Sequence, residues 1–302
     1  MIDDRVLFPN YNDGRAFVSP ILGCTGGCAY CYLPIKNYKT PMKNDIPVDK
    51  WVETILKMDN FVLGKEGTII SVGAWGDIFP KNNPDLIYYS VNTIAELLKL
   101  GNPVQIMSKF SLEDKFIEKI CSNIQYENQF LYSTTITTIK NWKLLEPNTE
   151  APINRLNTCY NFQKRGAIIN VLLKPFILPL MDEELEDIAN LLLKYNITYC
   201  VLGSLYWDKN LKDKICKNSF LKSIISDEFH ESHLDCNGED LLFSNNTSVL
   251  KRCIKYLRTK GLNAFLKSSC INSNILKISN PSKYFLNNND YCIQCGNCIF
   301  HP

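Results

Sequence analysis

The sequence predicts an α/β fold: a partial (β/α)6 barrel of the TIM type with a helical, cysteine-bearing C-terminal extension. Three observations lead there. Short apolar runs rich in β-branched residues alternate with longer stretches of helical periodicity, the pattern of repeated βα units on a parallel sheet. Six such units end near residue 205, two short of a closed eight-stranded barrel. The remainder of the chain is polar and helical in pattern, and it ends in clustered cysteines. The division read from this is a core over 1–205 and an extension over 206–302.

The units run in order along the chain. Strand one is Ala16 to Leu22, ahead of a glycine- and cysteine-rich loop and a helix near Val48 to Asp59. Strand two, Thr68 to Val72, precedes a helix opening at Asn83-Pro84-Asp85 and running to about Leu100; proline suits the first helical position because its missing N–H is not needed there. Strand three is Pro103 to Met107, and its helix starts near Ser111 with Glu113 and Asp114 in the first turn, where carboxylates suit the dipole. Strand four is Phe130 to Ile136, and its helix lies within Pro152 to Arg165, closed by Gly166. Strand five is Ala167 to Leu173 with a helix from Asp182 to Tyr195; strand six is Ile197 to Leu202. Residues 208 to 260 read as helices with polar connections, including Thr247 to Lys260, and Asn272 to Asp290 as a tail rich in Asn, Ser and Pro.

Apolar residues at 45% and charged ones at 21% mark a chain able to bury a sizeable core. A formal charge of +2 gives no global argument for nucleic acid, membrane surface or acidic ligands. There is no basic–apolar–small leader pattern and no apolar run near the roughly 20 residues that span a bilayer, so no membrane association is expected and the location predicted is cytoplasmic. Thirteen cysteines is an odd number, and in a reducing compartment they are not a disulfide framework. Six of them fall into two tight groups; Cys121, Cys159, Cys200, Cys216, Cys236, Cys253 and Cys270 are scattered singly, as core cysteines are.

The first group, Cys24-Thr-Gly-Gly-Cys28-Ala-Tyr-Cys31, has C-x3-C-x2-C spacing with an aromatic before the last cysteine. Three thiolates on a short loop can ligate three irons of a cubane and leave the fourth open for a substrate ligand. Gly23, Gly26 and Gly27 allow the backbone a tight turn and a close approach, with amides free to hydrogen-bond to sulfur. The competing reading is a zinc site short of a ligand, which seldom uses this spacing.

This loop, placed just after a first strand, resembles the defining motif of the radical S-adenosylmethionine (SAM) superfamily, and the βα alternation extends the resemblance over about residues 15 to 205. The resemblance implies a partial (β/α)6 barrel and a 4Fe-4S cluster on Cys24, Cys28 and Cys31 whose open iron binds the amino and carboxylate groups of SAM. It implies one-electron cleavage of the sulfonium to methionine and a 5′-deoxyadenosyl radical that abstracts hydrogen. It also implies an electron donor such as flavodoxin or ferredoxin as partner.

Further SAM-site candidates are marked by their place at the carboxyl ends of strands, where ligands bind in such sheets. Gly73-Ala-Trp-Gly76-Asp77 stands where the superfamily has a glycine-rich segment with an acidic residue for the SAM amino group; a plain turn is the other reading. Ser108 and Lys109 end strand three, and Ser133, Thr134 and Thr135 lie in strand four, hydroxyls that reach a ribose or carboxylate or simply suit a strand. Arg155 is either a bidentate partner for the SAM carboxylate or a solvated helix arginine. Tyr30 and Tyr32 flank the last ligand and either pack on adenine or in the core.

The second group, Cys292-Ile-Gln-Cys295-Gly-Asn-Cys298, has the C-x2-C-x2-C spacing of bacterial ferredoxins. It is read as a second 4Fe-4S cluster, with Cys270, Cys253, Cys236 or His301 as the remaining ligand, or else as a zinc knuckle or as unliganded thiols. An auxiliary cluster would favour an oxidative or bond-forming reaction.

Within the superfamily the chain resembles the spore photoproduct lyase-like branch of DNA-repair enzymes. Leu145-Glu146-Pro147, Pro152, Arg155 and Leu156, Gly166 and Lys174-Pro175-Phe-Ile-Leu-Pro179 carry that likeness. The lyase returns a hydrogen atom from a cysteine a few dozen residues past the cluster motif, whereas residues 32 to 120 here contain no cysteine. Two enzyme readings stand. A nucleic-acid substrate fits the helix Lys251-Arg252-Cys-Ile-Lys255-Tyr-Leu-Arg258-Thr-Lys260 as a phosphate contact, although a solvated face is the better reading of that helix. A peptide or small-molecule substrate fits the second cysteine group and the near-neutral charge. With 23 residues before Cys24, no peptide-recognition domain is expected ahead of the barrel. A third reading is a non-catalytic iron-sulfur binding protein. His230 and His233 stand three apart as a possible metal pair on one helix face, or as polar surface, and Cys159 and Cys200 are hydrogen-donor candidates or buried structural thiols.

Overall fold

The computed structural model describes residues 8–12, 14–178, 180–207, 209–225, 233–236, 239–243 and 247–278. Its main sheet has eight strands: β1 (Asn10–Asn12), β2 (Arg15–Val18), β5 (Ile69–Val72), β6 (Val104–Met107), β7 (Phe130–Thr135), β8 (Ile168–Phe176), β9 (Tyr199–Ser204) and β13 (Asn263–Phe265), in that spatial order. Strand β1 pairs antiparallel to β2, and every later pairing is parallel. All six predicted strands are present, and among the described residues the ladder ends at β1 and β13 without closing.

Two differences from the sequence reading have clear causes. The predicted first strand breaks at Pro20, which has no N–H for a ladder; Ile21–Leu22 (β3) turns away to pair antiparallel with Met42–Lys43 (β4). Strand β8 runs on to Phe176 through a register shift between Leu173 and Phe176, again where a proline cannot donate. A further parallel strand, β13, comes from the region read as extension; at three residues it is too short to show a period. Residues 208–260 are not helical throughout. Helices α7 (Lys209–Lys217), α8 (Ser219–Ile225) and α9 (Thr247–Thr259) are accompanied by strands β11 (His233–Cys236) and β12 (Glu239–Phe243), which pair with each other, β12 also pairing with β10 (Tyr206–Trp207). His233 therefore opens a strand rather than sharing a helix face with His230, which lies outside the described residues.

Strand alternation gives the sheet two different faces. One presents Ala16, Val18, Ile70, Val72, Val104, Ile106, Phe130, Tyr132, Val171 and Leu202 to the crossover helices, forming the main core. Those helices are α1 (Val48–Leu56), α2 (Pro84–Lys99), α3 (Asp114–Cys121), α5 (Pro152–Gln163) and α6 (Leu180–Lys194), with the short α4 (Trp142–Leu145) before α5. Helix α2 starts with Asn83 accepting from the Leu86 amide at 3.4 Å and Pro84 just inside. The other sheet face is more polar. It carries Ser71, Gln105, Ser133 and Asn170, and joins Leu131, Leu172, Val201 and Phe265 to helix α10 (Ser268–Leu276) through Ile271. Cys270 packs against this last cluster, while Cys159 and Cys200 are fully buried in the main core.

Among the described residues no helix is long and apolar enough to cross a membrane.

Candidate active site

Near the carboxyl ends of the parallel strands lie the N-terminal cysteine loop, the Gly73–Asp77 segment, Ser108 and Lys109. The cysteine loop leaves β3 at Gly23, whose amide donates to the Trp75 carbonyl at 2.8 Å and which forms a parallel bridge with Gly76. The loops after β3 and β5 are thus joined at two glycines. Neither position tolerates a side chain. A Cβ on Gly76 would stand 2.5 Å from the Gly23 oxygen, and one on Gly23, at φ +85°, would stand 2.2 Å from the Thr40 oxygen. Tyr32 caps the joint from outside, its hydroxyl donating to the Ala74 carbonyl at 3.0 Å and its ring edge-on to Trp75 at 5.9 Å.

Within the loop, the Gly26 amide donates to Cys24 Sγ at 3.2 Å. A Cβ on Gly26 would lie 3.3 Å from Cys24 Sγ and 3.7 Å from Cys28 Sγ, so both sulfurs face the same side of that backbone. Cys28 is buried; Cys24 and Cys31 are half-buried. Burial pushes the Cys24 thiol up to about 12, with the Asp77 carboxylate adding to the effect. Burial also raises Cys28, opposed by the Lys109 ammonium. Metal ligation here therefore displaces thiol protons. Among the described residues no group of three or more His, Cys, Asp and Glu converges on one point as a single-ion site does.

The segment after α4 underpins the loop. The Ala29 amide donates to the Leu145 carbonyl at 2.8 Å, the Asn148 amide to Gly26 O at 3.3 Å, and Asn148 Nδ2 to Thr25 O at 3.2 Å. Beside Cys28 lies a buried ionic cluster centred on Glu146. Its carboxylate accepts from the Tyr30 hydroxyl, from Lys109 Nζ at 3.0 Å, from Thr137 Oγ1 at 3.1 Å and from Arg155 Nη2. Lys109 Nζ also donates to the Tyr30 hydroxyl at 2.6 Å and lies 3.7 Å from Cys28 Sγ. Burial alone would raise the Glu146 pKa, but the two cations and their hydrogen bonds outweigh it and hold the carboxyl near 2.

This arrangement assigns several predicted residues a definite place. Arg155 is 1% exposed, and its guanidinium is committed to Glu146, to Thr149 Oγ1 at 2.5 Å, to the Thr135 carbonyl at 2.7 Å and to the Glu150 carbonyl at 2.7 Å. It is neither solvated nor presented as an open fork. Asp77 accepts from Ser108 Oγ at 2.6 Å, the Lys109 amide at 2.8 Å and the Phe79 amide at 3.1 Å, tying the Gly73–Asp77 segment to the end of β6. Burial raises its pKa against the pull of those three donors. Tyr30 points into the Glu146 cluster, Ser133 Oγ accepts from Asn170 Nδ2 at 3.1 Å, and Thr135 Oγ1 contacts Met107 Sδ at 3.6 Å. A pocket of about 120 Å³ opens on the polar sheet face between Arg15, Ser71, Gln105, Ser133, Gly73 and Ser268. Cys292, Cys295 and Cys298 lie outside the described residues.

Sequence reasoning missed Glu146 as the hub, although Leu145-Glu146-Pro147 stands out in the sequence. An acidic residue before a proline carries no local sign of two distant cations. Lys214 was missed as well. Its Nζ donates to the carbonyls of Cys28 and Cys31 at 2.8 and 2.7 Å, and burial lowers its pKa.

No protein-family model matches the chain, and no curated protein sequence does. Solved structures do. A substituted spore photoproduct lyase with bound AdoMet and dinucleoside spore photoproduct is 14% identical, with a TM-score of 0.66 over 87% of this chain and 79% of that one. The chain has the fold of spore photoproduct lyase. A second lyase structure, complexed with dinucleoside spore photoproduct, superposes at the same TM-score of 0.66 with 13% identity and the same coverage, 87% and 79%. Streptococcus suis SuiB bound to S-adenosylmethionine is 12% identical with a TM-score of 0.53 over 91% of this chain, which spans about half (53%) of SuiB. SuiB is also known bound to its precursor peptide SuiA. The likeness read from the cysteine loop and the βα alternation is thus joined by a likeness of fold over 87% of this chain.

Proposed function

We propose that this chain is a radical SAM enzyme that binds a 4Fe-4S cluster through Cys24, Cys28 and Cys31 and reductively cleaves SAM to abstract hydrogen from a substrate. The observation that carries this reading is the three-thiol, three-glycine loop, lodged at the carboxyl edge of a parallel βα sheet and clamped to the Gly73–Asp77 segment by the Gly23–Gly76 bridge. The donor set suits a cubane with one open corner: three thiols on one short loop, with the Gly26 amide donating to Cys24 Sγ. When bound, the cluster supplies the electron that splits the sulfonium of SAM into methionine and a 5′-deoxyadenosyl radical.

The chain's own residues take the remaining roles. Gly73 and Gly76 let the second loop close against Ile78 and against the Gly23 backbone, and Asp77 with Ser108 holds that loop to β6. Lys109, 3.7 Å from Cys28 Sγ, is the cation placed to meet a carboxylate beside the cysteine loop. Tyr32, Ser133 and Thr135 remain candidates for the nucleoside end. Arg155 acts through Glu146, holding Lys109 and Tyr30 in place. The pocket beside Ser71, Gln105 and Ser133 is the proposed substrate seat.

The favoured substrate is a nucleic-acid component, because the lyase structure holding a dinucleoside superposes at a higher TM-score (0.66 against 0.53) and over more of its own length (79% against 51%) than the peptide-bound SuiB does. Three of the five cations in residues 251–260 already have protein partners. Arg252 is paired with Asp182 at 2.9 Å, Lys260 with Glu186 at 2.9 Å, and Arg258 donates to the Ala264 carbonyl at 2.8 Å. A peptide substrate is the second reading, favoured by the Cys292, Cys295 and Cys298 group, for which we propose a second cluster with Cys270 as candidate fourth ligand. The partners proposed are SAM and a flavodoxin- or ferredoxin-type electron donor.

Anaerobic reconstitution and then reduction with dithionite in the presence of SAM tests the main reading. About four irons per chain from the first loop, and 5′-deoxyadenosine formation abolished by alanine at Cys24, Cys28 or Cys31, are expected. Iron uptake with no 5′-deoxyadenosine would instead fit an iron-sulfur binding protein. A total near eight irons, falling to about four when the three C-terminal cysteines are replaced together, would support the second cluster.

A further inference from the structure

Helix α7 lies against the cysteine loop. Leu211 and Ile215 are buried in one cluster with Cys28, Ala29 and Tyr30, and Leu221 and Ile225 of α8 extend it. Lys214 is three residues beyond Leu211 and one before Ile215, so it shares the face that meets the loop. Its ammonium donates to the Cys28 carbonyl at 2.8 Å and to the Cys31 carbonyl at 2.7 Å, and the Cys31 amide donates back to the Cys28 carbonyl at 3.1 Å. One cation therefore grips both ends of the C-x2-C turn. Lys109 approaches the same segment through Cys28 Sγ at 3.7 Å.

We infer that Lys214 is a positioning residue for the iron–sulfur centre: it fixes the Cys28–Cys31 turn in the geometry that ligates iron, and its charge stabilises the reduced, more negative form of the cluster. This rests on the cluster reading above. The chemistry is that of an outer-shell donor, which orients ligands and shifts the potential without touching the metal. A helix from beyond residue 205 thereby becomes part of the cluster-binding apparatus.

The full-length chain and its Lys214→Met, Lys214→Gln and Lys214→Arg variants test this in two stages. In the metal-free state, thiol alkylation with peptide mass mapping should find Cys28 and Cys31 modified faster in the Met and Gln variants than in the parent, with Cys24 unchanged and Arg restoring protection. After reconstitution, the Met and Gln variants should lose iron to a chelator about tenfold faster and titrate at a more negative midpoint by electron paramagnetic resonance, with Arg again near the parent. Equal alkylation rates overturn the grip whatever the metal does. Equal iron loss and equal midpoints in parent and variants overturn the role toward the cluster. A parent chain that takes up no iron overturns the cluster reading, while its alkylation pattern still decides the grip. Should Met prevent folding, as a circular dichroism melt would reveal, Gln against Arg makes the same comparison.

Discussion

Glu146 and Arg155 form a buried ion pair next to the cysteine loop, each side chain 1% exposed, with Lys109 on the second carboxylate oxygen. Two cations share one buried carboxylate. Removing that carboxylate strands both of them, whereas removing the whole cluster of charges need not be costly. Glu146→Gln is expected to lose about 3 to 5 kcal/mol of stability in the metal-free chain. Urea unfolding checks it, with Glu146→Leu/Arg155→Met/Lys109→Met as the companion: recovery of stability there would attribute the loss to unpaired charge, and no recovery to packing.

The same carboxylate gives a signature in acid. Its pKa near 2 in the fold lies below the ordinary unfolded value of about 4.3. A depressed pKa contributes stability that is fully present above the unfolded value and lost as pH falls through the folded one, here about 3 kcal/mol between roughly pH 5 and 2. Denaturant unfolding at a series of pH values should therefore show the parent losing stability more steeply than Glu146→Gln over that window. Parallel curves would mean that Glu146 is not ionised in the fold.

Whether a feature was legible in the sequence depends on whether it is local. The cysteine triad, its glycines and the six parallel strands are written in short-range spacing and period, and the structure places all of them. The Asp77 segment was legible by its place after a strand, though its carboxylate turns to Ser108 and Lys109. What stayed illegible is long-range. Glu146 meets Tyr30 across 116 residues and Lys214 meets Cys28 across 186, and a carbonyl acceptor leaves no trace in residue type. The hairpin of β11 and β12 and the three-residue β13 were too short for their period to compete with the surrounding helical pattern.

Glu184 does a similar task on the far side of the same loop. From α6, at 2% exposure, it accepts from Thr138 Oγ1 at 2.6 Å, the Ile139 amide at 2.5 Å and the Lys140 amide at 3.3 Å, holding the turn that carries Thr137 to Glu146. Hydrogen bonds to a charged acceptor contribute about 1.5 to 3 kcal/mol each. Glu184→Ala is expected to cost about 2 to 4 kcal/mol, with Glu184→Gln milder because one carbonyl oxygen remains. Hydrogen exchange at Ile139 and Lys140 is the sharper readout: both amides should lose protection in the Ala variant while the β7 amides keep theirs, and unchanged protection would remove Glu184 from this role.

The glycine joint between the two loops separates strain from site geometry. A methyl on Gly76 meets two backbone oxygens, Gly23 O at 2.5 Å and Ile21 O at 2.8 Å, and neither can swing aside as a side chain would. The loops must part, so Gly76→Ala is expected to cost about 1 to 3 kcal/mol by overpacking and to reduce iron retained per chain after reconstitution. Gly166 is the control. It has φ +87° and nothing within 4 Å of an added Cβ, so Gly166→Ala carries backbone strain away from the cysteines. Iron content measured on both variants at matched folded fraction should fall in the first and hold in the second. A Gly76→Ala chain with the parent's full iron content would show that the bridge at Gly23 is not needed to shape the cluster loop.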